Sequence, residues 1–187
     1  PLTRIRMAVE LLKENVDPRR KRELEQDIVE LDTLIDEILT ASRLDAVGAG
    51  ASEEVDLLAL ASEECARYEE AQLTGEPVTV LGDSRLLRRL IRNLLENARR
   101  HGVPPVEVRV SRVGGGAELR VTDHGPGVPD SEREGVFQPF HRFGGTGERA
   151  GAGLGLALVR QIARRHGGDA RYVAGAPSGG SFVVTLR

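Results

Sequence analysis

The stretch Leu86–His101, with the sequence LLRRLIRNLLENARRH, decides the fold. Its apolar residues recur every three or four positions, which predicts an amphipathic helix. Asp83 and Ser84 precede it as capping residues, and Gly102 follows as a stop signal. At about 100° per residue, four polar side chains share the margin of the apolar face: Asn93, Asn97, Arg100 and His101. Because unpaired polar groups beside a core are costly, this row either caps neighbouring loops or binds a ligand.

The composition excludes several classes of protein. Of the 187 residues, 40% are hydrophobic and 29% are charged, which is typical of a globular protein. A net charge of −3 and an aromatic content of 3% argue against nucleic-acid binding by bulk charge or base stacking. The single cysteine, Cys65, excludes an internal disulfide framework. No apolar run approaches the ~20 residues of a membrane span, and a start at Pro1 without a signal pattern indicates a fragment.

The residues before this helix predict a helical hairpin and a linker. Apolar residues in 2–14, and again from Pro18 to about Leu44, keep the three–four alternation of a coiled-coil seam. A hairpin with a narrow seam cannot bury its stripe alone, so we expect a second copy to complete a dimeric four-helix bundle. Packing of the hairpin on the downstream domain is the alternative. The small-residue sequence AVGAGAS predicts a linker, which gives a hairpin at 1–45, a linker at 46–52 and a domain at 53–187.

The downstream region mixes helices with antiparallel strands. Val55–Leu58 predicts a strand that runs into a helix through Tyr68, and Val78–Leu81 predicts a short strand before the central helix. Period-two alternation and glycine turns predict further elements: strands at 106–111 and 118–123, a helix at Leu154–His166, and a closing hairpin of 170–173 with 181–186. The order of elements favours an α+β sandwich.

Two glycine-containing stretches indicate ligand contacts. Asp123 begins DHGPG directly after a strand, so its carboxylate either caps its own turn or accepts from a ligand such as the exocyclic amine of adenine. Gly151–Leu156, GAGLGL, opens a helix, where free N–H groups and the helix dipole attract phosphate. A flexible hinge is the alternative for these glycines. The spacing matches neither the dinucleotide fingerprint nor a P-loop.

Taken together, these three motifs resemble the ATP-binding domain of sensor histidine kinases, a fold of the GHKL superfamily. The segment 137–143, FQPFHRF, resembles that family's phenylalanine box, and 179–182, GGSF, resembles its last glycine box. PLTRIRMAVELL at 1–12 resembles the residues that follow the family's phosphoacceptor histidine, and the hairpin resembles its dimerisation domain. The resemblance covers essentially the whole chain, with the motifs in the family's order.

The resemblance implies binding roles for individual residues but assigns no catalytic side chain. Asn97 would coordinate the Mg²⁺ that bridges the phosphates of ATP, with Asn93 beside it. Asp123 would bind the adenine amino group. The remaining nucleotide contacts implied by the family are Arg100 and His101 at the phosphates or ribose, Gly125 and Gly127 at the adenine wall, Gly151, Gly153, Leu154 and Gly155 at the phosphates, and Arg149 in the lid at 144–152. An amide oxygen suits magnesium, and phosphoryl transfer needs positioning and charge neutralisation more than a reactive side chain.

Three departures from the family concern other parts of the chain. The connection Glu69–Pro77 has little room for the strand that the family places there, and the lid is short. No phosphoacceptor histidine lies on the hairpin, so we expect it a few residues before Pro1 and expect no self-phosphorylation on the four histidines present.

The sequence therefore predicts the kinase core of a two-component sensor: it binds ATP and Mg²⁺, phosphorylates a histidine on the dimerisation helices and passes the phosphate to the aspartate of a response regulator. Its expected partners are a second copy through residues 2–44 and a receiver domain, with no nucleic acid. We expect the cytoplasmic portion of a bacterial protein anchored in the inner membrane by segments outside this chain. The alternatives are a GHKL-type ATPase and a nucleotide-sensing dimerisation module without transfer activity. An amide at Asn93, where such ATPases place a glutamate, disfavours hydrolysis.

Overall fold

The computed structural model describes Ile28 and residues 52–141, 153–175 and 179–187. The chain divides into two compact units, Pro1–Arg43 and Leu44–Arg187. Apart from Ile28, the predicted hairpin lies outside the described residues, as do Arg149 and Gly151. Among the described helices, none combines the length and hydropathy needed to cross a membrane.

The described part of the second unit consists of helices, strands and two short 3-10 turns. The strands are β1 (Glu53–Asp56), β2 (Ala71–Gly75), β3 (Thr79–Gly82), β4 (Val106–Val113), β5 (Gly116–Asp123), β6 (Ala170–Ala174) and β7 (Gly180–Leu186). The helices are α1 (Leu57–Cys65), α2 (Ser84–His101) and α3 (Gly155–Arg165), and the 3-10 turns are Asp130–Glu132 and Gly135–Phe137.

The main sheet has five strands in the order β2-β4-β5-β7-β6, and β1 pairs separately with β3. The β2 strand runs parallel to β4, and the other neighbours in the main sheet are antiparallel. Alternate residues of β4 and β5 are buried in one hydrophobic core with the apolar faces of the three helices. This architecture confirms the predicted α+β fold class.

The α2 helix forms the centre of that core, as its periodicity predicts. Leu87, Leu90, Ile91 and Leu94 are all 0% exposed. The Asp83 carboxylate caps the helix because its Oδ1 accepts the backbone N–H groups of Arg85 and Leu86. The cap and the apolar stripe together fix where α2 begins and which face it buries.

Two sequence predictions for the region before α2 are wrong. The first helix ends at Cys65 rather than Tyr68, because the chain turns there and the Tyr68 carbonyl accepts the N–H of Ala71. The connection Glu69–Pro77 does hold a strand, β2. Five residues suffice because, within the part of the chain that the structure describes, β2 is an edge strand that pairs with β4 alone, from Ala71 opposite Val106 to Gly75 opposite Val110.

Candidate functional site

Two asparagines one turn apart on α2 have different surroundings. Asn93 is 7% exposed, and its Nδ2 donates to the carbonyl oxygen of Gly155 at 3.2 Å. This bond ties α2 to the first residue of α3. Asn97 is half-buried, and its side chain makes no hydrogen bond within the described residues. The amide of Asn93 is therefore used within the fold, whereas that of Asn97 remains open to a ligand.

The C-terminal end of α2 lies against the turn that begins at Asp123. A Cβ atom on Gly102 would lie 2.7 Å from the Cγ of Asp123, so a larger residue at 102 would displace the carboxylate. Oδ1 of Asp123 accepts the N–H of Gly125 at 2.8 Å, which is the turn cap that the sequence allowed. The other oxygen, Oδ2, makes no hydrogen bond within the described residues. One carboxylate can thus cap its own turn and still accept from a ligand.

The charges at this end of α2 favour a neutral imidazole. Burial and the charge of Arg100 lower the pKa of His101 below its ordinary 6.5, and the carboxylate of Asp123 opposes that shift only in part. Arg100 is 37% exposed and lies 3.6 Å from Glu96 in a loose i,i+4 pair. An exposed pair of this kind contributes little, so the guanidinium is available to an anion.

The far side of the Asp123 turn contacts Tyr172 of β6 and Gly179, which immediately precedes β7. Gly127 has a φ of 75°, and a Cβ there would lie 2.9 Å from both the Gly179 oxygen and the Tyr172 hydroxyl. The hydroxyl of Tyr172 accepts the N–H of Val128 and donates to the carbonyl of Gly179, each at 3.0 Å. Tyr172 was not among the predicted site residues. The only feature of the sequence that could have indicated it is its position opposite Phe182 in the predicted closing hairpin.

The glycines before α3 are tied to the segment that resembles a phenylalanine box. Phe137 is 4% exposed and packs edge-on against Phe182, with ring centroids 6.0 Å apart. The N–H of Phe140 donates to the Gly153 carbonyl at 3.0 Å. Gly153 has a φ of 73°, and a Cβ on it would lie 2.6 Å from the His141 carbonyl oxygen. Only glycine fits there without movement of the backbone.

The structure therefore brings most of the predicted site residues into two linked groups. Asn93 contacts Gly155, which follows Gly153 and the buried Leu154, and the end of α2 contacts the turn of Asp123, Gly125 and Gly127. Within the described residues no cluster of three or more His, Cys, Asp or Glu could hold a metal ion. The open amide of Asn97 nevertheless fits magnesium, which in nucleotide sites takes one or two protein oxygens together with phosphates and water.

Comparison with known families gives one match over more than half of the chain. Residues 82–187 match the family described as histidine kinase-, DNA gyrase B- and HSP90-like ATPase. The match begins at the end of β3 and includes α2, the Asp123 turn and α3.

Individual relatives carry related descriptions. The signal transduction histidine-protein kinase/phosphatase MprB of Mycobacterium avium (strain 104) is 34% identical over 210 residues, covering 100% of this chain and 40% of the relative. The chain thus spans about two fifths of the length of that curated relative. A solved structure of the mycobacterial sensor histidine kinase MprB is 34% identical, with a TM-score of 0.61 over 72% of this chain and 96% of that one. Full-length ShkA in complex with AMPPNP superposes with a TM-score of 0.73 over 95% of this chain and 40% of that one, at 23% identity, a likeness of fold alone.

Proposed function

This chain belongs to the sensor histidine kinases, and from that premise we propose that residues 53–187 bind ATP with Mg²⁺ and supply its γ-phosphate to a histidine. The contrast between the two asparagines of α2 carries the proposal. Asn93 donates a hydrogen bond to the carbonyl of Gly155, while the amide of Asn97 is half-buried and unpaired within the described residues. An amide at the margin of the core that no protein group among the described residues engages is free to bind a ligand through its oxygen.

The residues around Asn97 divide the nucleotide between them. The free Oδ2 of Asp123 would accept a hydrogen bond from the exocyclic amino group of adenine. Gly125 and Gly127 would form the wall of the pocket against the adenine ring. The backbone of Gly153, Leu154 and Gly155 would contact phosphate oxygens at the N-terminus of α3. Bound magnesium, held by Asn97, would neutralise phosphate charge, and Arg100 would add a cation at the same end of α2.

Asn93 then has a positioning role rather than a chemical one. Its bond to Gly155 sets the distance between α2, which would hold the metal, and the start of α3, which would hold the phosphates. An amide already donating to a carbonyl offers no general base for water, so this geometry favours transfer over hydrolysis.

The remaining parts of the proposal concern the whole protein. The hairpin of residues 2–44 would form a homodimer, and the phosphate would pass from a histidine to the aspartate of a response regulator. We place the chain on the cytoplasmic side of a membrane-anchored sensor, where ATP and the regulator are available. Phosphorylation by a longer version that carries upstream sequence tests the transfer step, with label expected on a histidine and lost in acid.

Calorimetric titration of the 187-residue chain with ATP, with and without magnesium, tests the binding step. We expect magnesium-dependent binding, and Asp123→Ala should weaken it by about 1–3 kcal/mol, because the charged acceptor for the base is lost. Asp56→Ala is the matched control, since Oδ1 of Asp56 also accepts two backbone N–H groups but at the start of α1. Equal affinities in the wild type and Asp123→Ala would refute the assignment of Asp123.

A further inference from the structure

The hydroxyl of Tyr172 joins two backbone segments that are far apart in sequence. It lies on the edge strand β6, and its ring packs against Phe182 of β7 with centroids 5.2 Å apart. Its hydroxyl accepts a hydrogen bond from the N–H of Val128 and donates one to the carbonyl of Gly179, both at 3.0 Å. A phenol makes one donor and at least one acceptor bond, so this group is satisfied by backbone alone.

The surrounding glycines leave room for this hydroxyl because they carry no side chains. A Cβ on Gly180 would lie 1.9 Å from the Tyr172 oxygen, and one on Gly127 would lie 2.9 Å from it. Gly179 has a φ of 80°, and a Cβ there would lie 2.3 Å from the Asp123 carbonyl oxygen. The phenol therefore occupies space that side chains at 127 and 180 would take.

The turn between Asp123 and Val128 has three hydrogen-bond anchors among the described residues. Oδ1 of Asp123 binds the N–H of Gly125, the N–H of His124 donates to the carbonyl of Val103, and the N–H of Val128 donates to Tyr172. The first two lie at the α2 end of the turn. Only the third holds the opposite end, and it is made by a single side-chain atom.

We infer that Tyr172 is a positioning residue for recognition of the purine base, an inference that rests on the proposed function of the Asp123 turn. Its hydroxyl fixes the end of that turn so that the free oxygen of Asp123 faces the exocyclic amine of adenine. Tyr172 touches neither phosphate nor metal in this arrangement. Its contribution therefore belongs to the base half of the nucleotide and not to the phosphate half.

Tyr172→Phe tests this inference because it removes one oxygen atom and keeps the ring against Phe182. The variant loses the hydrogen bonds to Val128 and to Gly179. Because only the bond to Val128 holds the turn, we expect adenosine and ATP with magnesium to bind about threefold to tenfold more weakly, the range for one hydrogen bond. Affinity for tripolyphosphate with magnesium should not change. Tyr68→Phe is the control for loss of a tyrosine hydroxyl, since Tyr68 is partly buried but lines a separate cleft with Leu95 and Val106.

The titrations separate failure of the Tyr172 inference from failure of the proposed function. Unchanged adenosine affinity in Tyr172→Phe, or an equal loss for tripolyphosphate and adenosine, overturns the inference while leaving the proposed function in place. Absence of adenosine and ATP binding in the wild type refutes the proposed function, and the inference with it. Hydrogen exchange of the Val128 amide in the wild type is a check that needs no variant: slow exchange supports the bond to Tyr172, and exchange at the rate of a free amide refutes it.

Discussion

Two polar clusters on α2 differ in whether the protein itself completes them. In the first, Arg88 and Arg92 surround the carboxylate of Glu64 on α1, with N–O distances of 2.9, 3.0 and 3.3 Å. The side chain of Glu64 is 0% exposed, and both of its oxygens are paired. In the second, two turns further along α2, Asn97 and one oxygen of Asp123 have no partner within the described residues.

The difference separates polar groups that hold the fold from polar groups that await a ligand. Burial alone would raise the pKa of Glu64, but hydrogen bonds from Arg92 and Arg88 outweigh it and hold the pKa below the ordinary 4.5. That cluster is complete and offers nothing to a nucleotide. The two open groups add no bond to the free protein within the described residues, and a ligand that completes them stabilises the folded state.

The largest expected effect comes from breaking the closed cluster. Glu64→Gln keeps the size of the side chain but leaves Arg88 and Arg92 without their carboxylate. Removing one partner of a buried ion pair costs about 3–5 kcal/mol, and we expect about 3 kcal/mol because both guanidiniums can turn toward water. Their side chains are 34% and 33% exposed. Urea denaturation measures the loss in free energy of unfolding. At urea concentrations below the unfolding transition, the affinity for ATP should not change.

Glu63→Gln is the control for this variant. Glu63 also pairs with Arg88, at 2.7 Å, but is 62% exposed, so at most about 1 kcal/mol should be lost. The stability that Glu64 contributes is present above its ordinary pKa and disappears as the pH falls through its lowered pKa. Wild type and Glu64→Gln should therefore converge in acid, and a constant difference down to low pH would contradict the account.

An intermediate effect is expected from the open cluster. Asn97→Ala removes the free amide and should abolish the magnesium-dependent part of ATP affinity, about 2 kcal/mol for a bond to a charged group. Binding without metal and the free energy of unfolding should both stay near the wild-type values, because Asn97 has no partner to lose within the described residues. A stability loss as large as that of Glu64→Gln would show that the two clusters do not differ in kind.

The smallest effect concerns the protonation of His101. Its pKa is lowered in the free protein, so the imidazole is neutral at pH 7.5. A polyanion at the end of α2 would raise that pKa, and affinity for ADP should then increase by about threefold as the pH falls toward 6, by proton linkage. His101→Gln should remove this dependence. An unchanged pH profile in the variant would place His101 away from the phosphates.

Sequence patterns predicted the parts of the molecule whose causes are local. The period and capping of Leu86–His101 predicted α2, and the glycines after Asp123 predicted a turn whose capping by the carboxylate was one of two alternatives. The position of Asn97 at the margin of the apolar stripe also followed from helix geometry. Each of these features is determined by residues within one turn or one strand of each other.

The features that sequence analysis missed depend on residues that meet only in three dimensions. Strand β2 has one large apolar residue, Leu73, and is recognisable only by its pairing with β4. Glu64 is a charged residue that a local pattern assigns to solvent, yet its partners lie 24 and 28 residues further along the chain. Tyr172 joins backbone at 128 and 179, which no window of sequence brings together.

The position of β7 has a consequence for synthesis of the protein. Among the described strands it comes last in chain order but lies between β5 and β6, and Gly180 at its start pairs with Asp123. A chain emerging from the ribosome therefore exposes the β5 edge, with β6 unattached, until β7 is inserted, and domains fold as units during synthesis. Incomplete translation products that stop before Gly180 would lack the support of the Asp123 turn. Under the proposed function, such products would lack the base-binding half of the nucleotide site.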